Sequence, residues 1–327
     1  MKTILVIQTA SIGDVILSTP VIEKIHHFYP EAKIDILVKK GMEGLFIHHP
    51  FLNEVIVWDK SSAKYSNFVH VFKTVRRNAY DAVINLQRFA LTGFLTSFSK
   101  SDIRIGFYKN PFSFFFSQKI QHEIREGVHE VDRNLRLIEQ ITGPGVFKPR
   151  LYPSPEDNAH TSSLKTGRYL TLSPASLWLT KQYPSQNWIE FIRKADPSIR
   201  IYLLGSKADV SMCEELRIKS NRQNIMNLAG TLSFLESASL MKDAIMNFTN
   251  DSAPLHMASS VNAPVTAIYC STIPAYGFGP LSDDSAVIET TAELNCRPCG
   301  LHGYQACPEK HFRCATTIKT DQLTQRI

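Results

Sequence analysis

No apolar run in the 327-residue chain approaches the roughly 20 residues that a membrane-spanning helix needs, which excludes a helical integral membrane protein. The start, MKTILVIQTASIGD, reaches Gln8 and Asp14 before an apolar region or cleavage site develops. A secretory leader is therefore not expected, and a cytoplasmic chain is. Only Cys213 precedes residue 270, so a small disulfide-stapled fold is excluded. There is no internal repeat and no low-complexity tract, which removes solenoids and disordered tails. The first loop, Thr9-Ala-Ser-Ile-Gly-Asp14, lacks G-x-G-x-x-G, which speaks against a dinucleotide fold that uses it.

What is present is globular, with 43% hydrophobic and 20% charged residues and length enough for two domains. Charge is unevenly placed. Residues 1–150 carry 20 Lys and Arg against 14 Asp and Glu, whereas the remainder is balanced at 16 each. The basic half suits an anionic partner such as nucleic acid, a phosphorylated glycan or a membrane surface. A chance excess on a soluble surface fits the count equally well.

Short apolar runs alternate with helical patterns. Strands are expected at 3–8, 33–38, 54–58 and 82–86, with one helical stretch over 15–28. After the Gly/Pro-rich segment GPGVFKPRLYPSP, a credible linker, strands resume at 169–173, 200–204, 245–249 and 265–269. The pattern Ser233-x-x-Glu236 opens a helix as a capping box. This spacing predicts an α/β chain with parallel strands and crossover helices. Two such units suggest a ligand held in a cleft between them.

Ligands of parallel sheets gather beyond the carboxyl ends of strands, so the loops there carry the functional reading. Asp14 sits at such a loop-to-helix junction, either as an acid facing a cleft or as a helix cap. Ser173 and Ser176 follow a strand, with Lys181 shortly after; hydroxyls and a flexible ammonium suit phosphate oxygens. In Asn250-Asp-Ser-Ala-Pro-Leu-His256, Pro254 suits a first helical turn whose free N–H groups could hold a diphosphate. Asp251 could cap or bind sugar hydroxyls, and His256 could reach the phosphates or simply pack.

Two further clusters stand out. Cys296, Cys299, Cys307 and Cys314 read C-x2-C-x7-C-x6-C, with His302 and His311 interspersed. Structural thiolate zinc and reduced thiols are both open readings. Residues 104–119 mix five phenylalanines and Tyr108 with Arg104, Lys109 and Lys119. That mixture fits a buried segment with snorkelling lysines, a lipid-facing surface or a platform for single-stranded nucleic acid.

The loops together resemble glycosyltransferase family 9, the ADP-heptose:lipopolysaccharide heptosyltransferases. The resemblance runs in order through Ser11-Ile-Gly-Asp-Val-Ile-Leu-Ser-Thr-Pro20, Asp81-Ala-Val-Ile-Asn-Leu-Gln87 and Arg104-Ile-Gly-Phe107. It continues through Lys181-Gln-Tyr-Pro-Ser-Gln-Asn-Trp188, Asn227-Leu-Ala-Gly-Thr231, Asn250-Asp-Ser-Ala-Pro-Leu-His-Met-Ala258 and Gly279-Pro280. Ala253 departs from the family's usual glycine.

The resemblance implies the GT-B fold, two Rossmann-like parallel-sheet domains facing a central cleft. Residues 1–150 would bind the acceptor, and residues 151–327 the nucleotide sugar, ending in the Cys-rich tail. It implies inverting transfer of heptose, or a similar sugar, from ADP-heptose to a lipopolysaccharide-core acceptor. No metal is expected in catalysis, in keeping with the absence of D-x-D. Asp14 would be the general base. Ser173, Ser176 and Lys181 would neutralise the diphosphate, and Asp251 would bind the donor sugar. Ser252, Ala253 and His256 would present donors to phosphate, Leu228 and Gly230 would lie along the adenine, and Asp209 would reach the ribose. Arg104, His129 and Arg133 would line the acceptor side. The partners implied are the donor and a lipid-linked saccharide at the inner-membrane surface, with no nucleic acid. The alternatives are a GT-B transferase or epimerase using another nucleotide sugar, and a non-catalytic glycan-binding relative.

Overall fold

A computed structural model describes residues 1–61 and 63–327. They divide into two compact units, Met1–Tyr152 and Pro153–Ile327, with the division inside the Gly/Pro-rich segment. Among the described residues each unit holds one six-stranded sheet, parallel throughout.

In the first unit the strands are β1 (Thr3–Ile7), β2 (Lys33–Lys39), β3 (Leu52–Trp58), β4 (Ala82–Asn85), β5 (Ile103–Phe107) and β6 (Gln118–Ile120). Their order is β3-β2-β1-β4-β5-β6. β1 (TILVI) and β4 (AVIN) are nearly unbroken apolar runs because central parallel strands are covered on both faces. The helices are α1 (Ile12–Ile16), α2 (Thr19–Phe28), α3 (Lys64–Asn78), α4 (Ala90–Ser97), α5 (Glu130–Arg136) and α6 (Glu139–Thr142). The single helix expected over 15–28 is interrupted between α1 and α2. Pro20 has no N–H for the ladder, and the Thr19 hydroxyl bonds the Ile16 carbonyl instead, at 2.8 Å.

The second unit repeats the plan with β7 (Tyr169–Ser173), β8 (Arg200–Leu203), β9 (Ile225–Asn227), β10 (Met246–Asn250), β11 (Val265–Tyr269) and β12 (Ser285–Glu289). Their order is β12-β11-β10-β7-β8-β9. Its helices include α7 (Pro155–Thr161), α8 (Ser185–Lys194), α9 (Val210–Ser220), α10 (Phe234–Lys242) and α11 (Ala253–Ser260). On α8, Trp188, Ile189, Phe191 and Ile192 form one buried stripe against Leu172 and Phe248. The capping box of α10 is present: Ser233 Oγ accepts from the Glu236 amide at 3.1 Å, and Glu236 accepts from the Ser233 amide at 2.7 Å.

The strand order places a topological switch point between β1 and β4 in one sheet and between β7 and β10 in the other. Loops leaving the carboxyl ends there diverge to opposite faces and open a crevice for ligands. Among the described residues, no helix is long and apolar enough to cross a membrane.

Candidate active site

In the second unit the loops after β7 and β10 meet at the switch point. Asn250, the last residue of β10, joins them. Its side chain accepts from the Tyr183 amide at 2.9 Å and donates to the Pro174 carbonyl at 2.7 Å. This brings Lys181 to Asp251, with Nζ 2.6 Å from Oδ2 and both side chains largely covered. The Thr272 hydroxyl donates to the same oxygen at 2.6 Å. Ser173 ends β7 buried, and its hydroxyl has no hydrogen-bond partner among the described residues. Gln182 reaches back to the Ser176 carbonyl at 2.7 Å and closes this loop.

Ser252 holds the N-cap position of α11 in extended geometry, Ala253 and Pro254 form its first turn, and His256 is buried beside Phe278. Ala253 lies outside the left-handed region, so this backbone accepts alanine where glycine is usual. Gly230 is constrained. Its φ is +71°, and a Cβ would come within 2.9 Å of the Lys207 backbone. Beside it, Asp209 Oδ2 accepts from the Ser206 amide and hydroxyl, each at 2.7 Å. That carboxylate oxygen closes the turn after β8.

In the first unit Asp14 occupies the first turn of α1. Its Oδ2 accepts from the Ser11 amide at 3.2 Å and hydroxyl at 2.5 Å, whereas Oδ1 has no hydrogen-bond partner among the described residues. Capping through Oδ2 holds the carboxylate in place. Lys60 reaches the Thr9 hydroxyl in the preceding loop at 2.8 Å. Gln8 and Gln87 bond each other across the switch point between β1 and β4.

Glu130 stands near enough to feel the Asp14 charge. Burial raises its carboxyl above the usual range, against the opposing pull of Arg133. Arg133 Nε lies 2.7 Å from Glu130 and its Nη1 donates to the Val128 carbonyl, so this guanidinium is buried in internal bonds. His122 packs 3.9 Å from Glu130, and burial, aided by the charge of Arg88, pushes it down to about 4.

A family model described as glycosyltransferase family 9 (heptosyltransferase) matches residues 68–305. The chain belongs to glycosyltransferase family 9. This family-9 chain is 24% identical over 275 residues to lipopolysaccharide heptosyltransferase 3 of Escherichia coli, covering 80% of the chain and 81% of that protein. In structure it is similar to E. coli ADP-heptose LPS heptosyltransferase II, with a TM-score of 0.81, 20% identity and coverage of 100% and 97%. It is also similar to E. coli heptosyltransferase WaaC with ADP, with a TM-score of 0.76, 19% identity and coverage of 99% and 98%. The fold is GT-B, as the motifs implied, with a Rossmann-like parallel sheet in each unit.

Within this family-9 fold, Ser173, Ser176, Lys181, Asp251, Ser252, Ala253 and His256 belong to the loops at the carboxyl edge around β7 and β10. Leu228 and Gly230 follow β9 on the same edge. Of the three residues expected on the acceptor side, His129 and Arg133 lie at α5 with Glu130, which feels the Asp14 charge, and all three expected side chains make internal bonds. Arg104 lies at the opening of β5 and donates to the Ser101 and Phe115 carbonyls. His129 caps α5, its Nδ1 accepting from the Val131 amide at 3.1 Å. Arg133 is turned to Glu130.

For the Cys-rich tail, zinc and reduced thiols were both open readings. Among the described residues no group of three or more His, Cys, Asp or Glu side chains is placed to hold a metal ion. Cys299 Sγ turns to the Cys296 carbonyl at 3.3 Å, and burial pushes Cys314 up to about 11.

What the tail does is brace the loops after β7 and β11. Thr180 and Tyr304 exchange backbone and hydroxyl bonds at 3.0 and 2.8 Å, and the Cys299 amide bonds the Ser271 carbonyl at 2.8 Å. Arg297 donates to the Cys270 and Thr272 carbonyls, both at 2.8 Å, and pairs with Glu289. Thr272 and Arg297 were not singled out from sequence. The loop after β11 obeys the same carboxyl-edge rule as the others, and that signal points to Thr272.

Proposed function

We propose that the chain transfers heptose from ADP-heptose to a hydroxyl of a lipopolysaccharide-core saccharide, inverting the anomeric centre, at the cytoplasmic face of the inner membrane. The observation that carries this reading is the Lys181–Asp251–Thr272 cluster at the switch point beside the start of α11. A cation and helix-terminal amides are what a departing diphosphate requires, because its charge develops in the transition state. Family membership supports the reading, as do the heptosyltransferase relatives, one of them solved with ADP.

Asp14 takes the proton of the attacking hydroxyl. That oxygen bonds the anomeric carbon as the bond to the diphosphate breaks, and ADP leaves. Lys181, the Ser173–Ser176 loop and the first turn of α11 with Ser252, Ala253 and His256 receive the leaving-group charge. Asp251 holds the sugar hydroxyls, and Leu228 and Gly230 flank the adenine. Charge neutralisation by Lys181 and amides makes a catalytic metal unnecessary, so transfer should continue in EDTA.

The test is Asp14→Asn with radiolabelled ADP-heptose and a panel of truncated core acceptors. Transfer should fall by about 10²–10⁴, the usual contribution of a general base, while ADP affinity stays within a few-fold. Near-normal turnover would return Asp14 to the role of helix cap.

A further inference from the structure

Charge and aromatic residues concentrate in one stretch of the first unit. Residues 60–120 hold ten lysines and arginines against two acids, Asp81 and Asp102, an excess larger than the +6 of the whole chain. Asp81 is held by the backbone amides of Lys2 and Thr3 at 2.5 and 3.1 Å.

Within this stretch α3, α4 and the turn Ser113–Phe115 are joined into one face by contiguous rings. Phe68 to Phe94 is 5.8 Å, Phe94 to Phe98 is 4.7 Å and Phe98 to Phe115 is 5.6 Å. Phe114 continues the series and is 84% exposed. Between α3 and α4 lies a groove of about 690 Å³ floored by Phe68, Phe72 and Phe94. Lys73, Arg76, Arg77 and Lys100 flank it, and no acidic residue lines it.

We propose that this face docks on a bilayer surface rich in anionic lipid, with the flanking cations on lipid phosphates and Phe114 and Phe115 in the headgroup–acyl boundary. The inference rests on the proposed lipid-linked acceptor for its purpose and on charge complementarity for its occupant. An isologous second copy would set this cationic face against itself, which like-charge repulsion opposes. Stacked nucleobases need open ring faces. Here Phe94 is tilted against Phe68, Phe72 and Phe98 at 46–53° and Phe112 meets it edge-on, so its faces are covered; Phe114 alone of this ring series stands largely open, and one ring gives no platform for successive bases.

The test is co-sedimentation of the full chain with vesicles of phosphatidylcholine alone or with about one third phosphatidylglycerol, in low and high salt. Wild type should sediment with the anionic vesicles and be released by salt. K73Q/R76Q/R77Q should lose about a hundredfold in partitioning, about fivefold per cation. Phe114→Ser with Phe115→Ser should weaken binding to the anionic vesicles in low salt, where the cations are unscreened. Both variants should keep wild-type ADP affinity and transfer to a delipidated, soluble acceptor, which shows them folded. Equal partitioning of wild type and the cation variant would overturn the proposal. So would preferential binding to single-stranded RNA, or self-association without vesicle binding. Sedimentation needs no turnover, so failure of the transfer reading leaves this result readable. Failure of wild type to bind the anionic vesicles, with its transfer to the soluble acceptor intact, would sink this inference alone.

Discussion

Lys181 and Asp251 form a nearly buried ion pair whose carboxylate also takes the Thr272 hydroxyl. A pair so placed serves recognition more than stability, since desolvating both charges offsets much of their attraction. In the proposed reaction a diphosphate competes with Asp251 for the ammonium, and Thr272 keeps the carboxylate satisfied when the ammonium turns to phosphate. Lys181→Ala should therefore weaken ADP binding by tenfold or more while adenosine binds as to wild type, measured by calorimetry. Thr272→Val removes one hydrogen bond to a charged group, worth about 1.5–3 kcal/mol, and should raise the ADP Kd by about 10- to 100-fold. Equal losses for adenosine and ADP would mean that the loops had misfolded, and would end the phosphate assignment. Gly230 illustrates a different residue-scale constraint. Its left-handed φ and the adjacent Lys207 backbone leave no room for a side chain, which is a backbone reason for a glycine beside the proposed adenine site.

At the scale of elements, the tail between Arg297 and Tyr304 acts as a brace on the loops after β7 and β11. Arg297→Ala strips a donor from the Cys270 and Thr272 carbonyls and leaves Glu289 without its partner. Stability should fall by about 1–3 kcal/mol in denaturant unfolding, and ADP affinity should fall because Thr272 is released. Arg297→Lys keeps the charge but not the fork, so it should recover stability more than ADP affinity. Full recovery of both would make Arg297 a simple charge partner.

The elements themselves were unevenly legible. The central strands could be read because burial on both faces forces apolar runs such as TILVI and YLTLS. β6 and β9 are three residues each at sheet edges, β12 is half-exposed, and β5 was hidden within a cationic, aromatic stretch. The position of the loops after β7, β9 and β10 was legible because each leaves the carboxyl end of a readable or motif-marked strand. The internal bonds of Arg104, His129 and Arg133 were not legible, because charge and polarity alone do not tell which backbone carbonyl or carboxylate a side chain will find. Arg297 was invisible because its partners lie as many as 28 residues earlier in the chain.

At the scale of the molecule, the first unit carries the charge excess and also buries two His–Glu contacts. His49 lies 3.6 Å from Glu23, and His122 lies 3.9 Å from Glu130. Burial pushes both histidines down to about 4 and raises both glutamates, so each contact is drawn toward neutrality. A histidine with a lowered folded-state value binds fewer protons in the native chain than in the unfolded one between about pH 6.5 and 4. Stability therefore falls as pH drops through that window, by at most about 1.4 kcal/mol per pH unit for each histidine. The glutamates act in the opposite sense just above their unfolded value, because the native chain holds their protons more tightly. Replacing a histidine while keeping its glutamate separates the two contributions. In urea unfolding from pH 7 to 4.5, His49→Gln and His122→Gln should each lose stability less steeply than wild type. The double variant should lose it least. If either variant kept the wild-type slope, that imidazole would be titrating as it does in the unfolded chain, and burial would not be what holds it neutral.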